Sequence, residues 1–155
     1  MSSDKRARSS TLILLVLIVI VVATSCVGPS RTQSDYERKV ANTAQAVVSS
    51  IESALRTVEV AADQLAPSRY VSLHLSETEE GVSAVETGFG AVQPPDPHLD
   101  ELRAEVLTVI GQASDVLEEL RIAAYRGQLD LLPELAGGLK EPLKRLRGFM
   151  EIAPT

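Results

Sequence analysis

The sequence predicts an all-α protein, an antiparallel up-down-up-down four-helix bundle behind an N-terminal hydrophobic segment. Apolar residues recur at alternating spacings of three and four along four segments after residue 34, the pattern of helices packed on helices. The chain is rich in Ala, Val, Leu and Glu, which favour helices over a β-sandwich. Short connections between the segments make sequential helices antiparallel neighbours. A three-helix bundle with an irregular second segment is the alternative.

The N-terminal segment has the composition of a secretory signal. Lys5, Arg6 and Arg8 precede an uninterrupted apolar run of 12 residues, Leu12 to Ala23. That length fits the apolar region of a signal peptide, about 7–15 residues, and falls short of the roughly 20 residues that a membrane-spanning helix needs. Because the basic residues stay in the cytoplasm, the bulk of the chain is expected on the extracytoplasmic side of the cell membrane.

The residues Ala23-Thr24-Ser25-Cys26 resemble the lipobox of bacterial lipoproteins, with Ala23 where Leu is commonest. The resemblance covers residues 1–26 and implies cleavage before Cys26 and diacylation of that cysteine. Two acyl chains would anchor the chain stably in membrane lipid. Cys26 is the sole cysteine, so no internal disulfide competes for it. The alternative is an uncleaved single-pass anchor with Cys26 an idle thiol.

Three parts of the chain follow from this interpretation. They are the signal peptide or membrane anchor, the tether and the helical bundle domain, residues 1–25, 26–33 and 34–155.

The first helix of the domain is predicted to begin at a capping box formed by Ser34 and Glu37. Its apolar seam alternates spacings of four and three: Val40, Ala44, Val47, Ile51, Ala54, Val58, Ala61 and Leu65. The seam of the second helix has the same spacing: Val71, Leu75, Thr78, Val82, Val85, Phe89 and Val92. The second helix begins at Ser68 or at Ser76, because residues 70–75 alternate like a strand. Gly81 and Gly88, seven residues apart, predict a close approach to the alanines of the first helix.

The third helix is predicted to start at Asp96, an N-cap residue followed by Pro97, and to stop at Gly127. Its seam contains eight positions: Leu99, Leu102, Val106, Val109, Ala113, Val116, Leu120 and Ala123. The fourth segment carries leucines from Leu132 to Leu146, but Gly137-Gly138 and Pro142 predict a break. Two helical pieces are therefore expected there.

Composition excludes several function classes. The formal net charge is −6, which argues against nucleic acid as a partner because phosphates would repel the chain. Aromatic residues make up 3% and Trp is absent, so surfaces that stack bases or sugars are not expected.

The sequence predicts no catalytic residue, no metal site and no cofactor. His98 lies between Asp96 and Asp100, but Asp in a capping turn has an ordinary structural role. His74 is expected to be partly exposed near the start of the second helix. Neither the Glu-x-x-His pair of di-iron bundles nor a glycine-rich phosphate loop occurs. The carboxylate clusters on the helices are expected to be solvated.

One charge asymmetry gives candidate contact residues. Residues 77–105 are strongly acidic, whereas the last segment carries four basic residues: Lys140, Lys144, Arg145 and Arg147. The favoured interpretation is charge complementarity between neighbouring helices, worth little for each exposed pair. The functional interpretation is a surface that contacts anionic lipid headgroups or an acidic partner.

These observations predict a non-enzymatic, membrane-tethered helical module of a bacterial cell envelope, with a structural role or one in binding another protein of unknown identity. A carrier of a small apolar ligand or lipid is the alternative, because seams rich in Ala, Val and Gly could leave a cavity between helices. An enzyme would need a cleft that gathers a histidine with carboxylates from another helix.

Overall fold

Four helical segments make up the part of the chain that the structure, a computed structural model, describes. That part is residues 32–152; the predicted signal or anchor segment, most of the tether and residues 153–155 lie outside it. The segments are α1, α2, α3 and a fourth that contains α4 and α5: Gln33–Ala62, Ser68–Gly90, Asp100–Tyr125, Leu132–Ala136 and Lys140–Met150. No strand occurs in residues 32–152, so the all-α prediction is confirmed.

α1 begins two residues earlier than the predicted capping box. The N-cap is Thr32, whose hydroxyl accepts a hydrogen bond from the backbone N–H of Asp35 at 3.2 Å. Ser34 therefore lies in the first turn, and Glu37 accepts instead from the side-chain amide of Gln33 at 2.8 Å. The seam from Val40 to Ala61 is buried as predicted.

The C-terminal end of α1 differs from the prediction. Gln64 adopts a left-handed conformation with φ of 56°. The backbone N–H of Leu65 donates to the carbonyl of Val60 at 3.1 Å, and that of Gln64 donates to Ala61 at 3.0 Å, the pattern of a Schellman C-cap. This reversal ends the helix before Leu65, which is 76% exposed, so its predicted place on the buried seam was wrong.

α2 is one continuous helix of 23 residues that starts at Ser68. The strand-like stretch 70–75 is helical, and the alternative with an irregular second segment is excluded. The predicted close approach at Gly81 and Gly88 was also wrong: a Cβ built at either position meets nothing within 4 Å. Both glycines lie on the exposed face of α2.

α3 follows a short 3₁₀ turn, Pro97–Leu99, whose N-cap is the predicted Asp96. It ends at Tyr125, and Gly127 stops it with φ of 74°, as predicted. The backbone N–H of Gln128 donates to Ala123 at 3.0 Å and that of Gly127 to Ala124 at 3.0 Å, so this end repeats the Schellman C-cap of α1.

The fourth segment is broken where its glycines predicted a break. α4 and α5 are joined by a 3₁₀ turn, Gly137–Leu139. A Cβ on Gly138 would lie 3.0 Å from Cγ2 of Val116 in α3, so a side chain at this turn would press on Val116. Pro142 is buried in the first turn of α5, where the missing N–H has no helical partner to lose.

Buried residues from every helix form one core cluster. α2 packs against α1 and α3, and α5 packs against the same two helices. None of the helices in residues 32–152 is long and apolar enough to cross a bilayer.

Candidate functional site

The predicted contact residues lie on α5, and two of the four are engaged by neighbouring helices. Arg145 pairs with Glu105 of α3 at 2.7 Å, and Arg147 pairs with Glu52 of α1 at 2.9 Å. These contacts agree with the interpretation of complementarity between helices. Cys26, the predicted lipidation site, lies outside the described residues.

Lys140 and Lys144 are the exposed remainder of that set. They lie one helical turn apart, and neither makes an ion pair with any residue in 32–152. Two lysines are fewer than the four to eight basic residues typical of lipid-binding clusters. A contact of this surface with lipid or with an acidic partner stays a prediction.

His98 forms a local pair with its predicted capping partner. Nδ1 of His98 lies 2.6 Å from Oδ1 of Asp96, which also accepts the backbone N–H of His98 at 3.1 Å. The backbone hydrogen bond, followed by the side-chain one, holds the pKa of the Asp96 carboxyl below its usual value. No group of three or more metal-ligating side chains occurs within residues 32–152.

His74 links two helices through a hydrogen bond that the sequence did not predict. Its Nε2 lies 3.0 Å from Oγ of Ser53 in α1, and its Nδ1 lies 3.7 Å from a carboxylate oxygen of Glu77. The order of groups is that of a serine hydrolase triad. Ser53, however, lies inside α1, where backbone N–H groups are used by the helix and cannot form an oxyanion hole. The pair joins α1 to α2.

A groove with large exposed apolar side chains lies where α2 begins and α3 ends. We call it the apolar groove; its volume is about 830 Å³ and it is open to solvent. The lining contains Pro67, Ser68, Arg69, Tyr70, Ser72, Leu73, Ser76, Arg121, Ala124 and Tyr125.

The exposure of these side chains is large for apolar groups. Tyr70 is 57% exposed, Leu73 59% and Tyr125 82%. The other large apolar residues that are exposed in 32–152 lie in the same parts of the chain, at the end of α1 and in the loops after α1 and α3: Val60, Leu65 and Leu131. Exposed apolar side chains that share one groove make it the candidate binding surface of the described residues.

Sequence reasoning missed this groove although a signal was present. Tyr70 and Leu73 fall off the seam defined by Val71 and Leu75, so they face away from the core once α2 is helical from Ser68. Reading residues 70–75 as a strand or as a late helix start hid that fact. Tyr70 and His74 stack with ring centroids 6.4 Å apart.

The charged residues that line the groove are both arginines. Arg69 and Arg121 belong to its lining, and no acidic residue does. Arg121 is paired with Glu79 of α2 and lies 3.8 Å from Glu118. Arg69, and Arg126 next to Tyr125, are exposed and make no ion pair within the described residues.

The start of α1 and the end of α2 form a different environment. Tyr36 is fully buried, and its ring centroid lies 6.1 Å from that of Phe89. Its hydroxyl has no hydrogen-bond partner among the described residues. The pKa of Tyr36 is raised above its ordinary value. Burial has the largest effect and raises it, the charge of Arg103 lowers it, and the charge of Asp100 raises it. The guanidinium of Arg103 donates to the carbonyl of Gly90.

No protein-family model matches the chain, and neither a curated protein nor a solved structure matches it.

Proposed function

We propose that the protein is a membrane-tethered, extracytoplasmic helical module of a bacterial cell envelope, and that it binds another protein through the apolar groove. The observation that carries the proposal is the concentration of exposed Tyr70, Leu73 and Tyr125 around one concave surface. Tyr and Arg are enriched among the residues that dominate binding energy in protein interfaces, and both line this groove. No catalytic role is proposed for the Ser53–His74 pair, since Ser53 lies inside α1, where the helix uses the backbone N–H groups.

The proposed topology is an antiparallel up-down-up-down bundle. Support comes from contacts between helices. The start of α1 meets the end of α2 through Tyr36 and Phe89, and the end of α2 meets the start of α3 through Gly90 and Arg103. Tyr125, at the end of α3, shares the groove with the start of α2.

The contacts of the fourth segment also support an alternating order of helix directions. Arg145 in the middle of α5 contacts Glu105 near the start of α3, whereas Gly138, before α5 begins, lies against Val116 in the second half of α3. α5 therefore runs opposite to α3 in the proposed topology.

The tether and the groove would be far apart in such a molecule. α1 contains 30 residues from Gln33 to Ala62, which at 1.5 Å per residue is about 45 Å. The tether enters at Gln33, and the groove begins five residues after Ala62, at Pro67. A groove about 45 Å from the anchored end is available to a partner protein rather than to the lipid that holds Cys26.

The anchoring is tested by metabolic labelling with radioactive palmitate in bacteria that express the chain, with Cys26→Ala as the matched variant. Label in the wild type and none in Cys26→Ala supports lipidation. Absence of label from both contradicts it and favours the uncleaved single-pass anchor formed by residues 1–25.

The binding role is tested by photo-crosslinking in the same cells. A photoreactive phenylalanine analogue is placed at Leu73 and, as control, at the exposed Asn42 of α1, outside the groove. We expect a discrete crosslinked protein product from position 73 and none from position 42. Equal products from both positions, or none from position 73, would contradict binding at the groove.

A further inference from the structure

We draw no further inference here: the strongest candidate, the apolar groove between the start of α2 and the end of α3, belongs to the site already described, and nothing in the structure shows what covers it.

Discussion

The two ends of α1 use tyrosine in opposite ways. Tyr36, in the first turn, is fully buried against Phe89, although its hydroxyl finds no partner among the described residues. Beyond the other end, Tyr70 and Tyr125 are more than half exposed beside an open groove. The tyrosine at one end is therefore part of the core, whereas those near the other end stay exposed to solvent in the folded protein. The comparison teaches that contacts, rather than residue type, decide which aromatic residue is structural.

The difference between the two ends is tested most directly by truncating one aromatic side chain at each end. Phe89→Ala removes a buried ring and should lower the free energy of unfolding by about 3–5 kcal/mol. Tyr125→Ala removes an exposed ring and should change it by less than about 0.5 kcal/mol. Urea denaturation followed by circular dichroism measures both. Similar losses from the two variants would show that the groove end is part of the core.

Substitutions of two glycines test the same difference between a position in contact with another helix and an exposed one. Gly138→Ala forces a methyl group to within 3.0 Å of the Val116 side chain, and overpacking of this kind should cost about 1–3 kcal/mol. Gly88→Ala meets nothing within 4 Å in a helix, so it should stabilise the protein by about 0.5–1 kcal/mol. Thermal unfolding of both variants checks the signs. A destabilised Gly88→Ala variant would indicate an unseen close contact on α2.

The smallest expected effect concerns the hydroxyl of Tyr36. Because that group is buried without a partner, Tyr36→Phe should leave the stability near neutral pH unchanged or raise it by up to about 1 kcal/mol.

The same variant has a pH signature. Burial raises the pKa of Tyr36 in the folded state above its ordinary value of 10.0. The stability linked to the protonated hydroxyl is present below pH 10.0 and is lost as the pH rises toward the folded-state pKa. Tyr36→Phe should therefore lose less stability than the wild type above pH 10.0. Parallel unfolding curves of the two proteins across that range would contradict a buried hydroxyl.

Helical periodicity was enough to predict the helical class, the buried seams and the break in the fourth segment. Spacings of three and four identify the buried side of a helix, whatever that side packs against. The burial of the seam from Val40 to Ala61 was therefore predictable from the sequence. Gly127 was predictable as a helix stop because its conformation favours glycine.

Other features depended on contacts that one sequence does not reveal. Gln64 takes a left-handed conformation although it is not a glycine. The sequence pattern therefore did not indicate that the helix ends before Leu65 or that Leu65 is exposed. Gly81 and Gly88 have the spacing of a packed face and yet lie in solvent. The groove was missed because it joins α2 to α3: a local pattern shows that Tyr70 and Leu73 face outward but not that Tyr125 lies beside them.

Hydroxyl-radical footprinting of the tyrosines tests the central claim most directly, by comparing the full chain in native membranes with the purified chain in lipid nanodiscs. The account predicts that Tyr36 is hardly oxidised in either sample, whereas Tyr70 and Tyr125 are oxidised readily in nanodiscs and several-fold more slowly in native membranes, where the partner covers them. Equal oxidation of Tyr70 and Tyr125 in the two samples would contradict a bound partner at the groove.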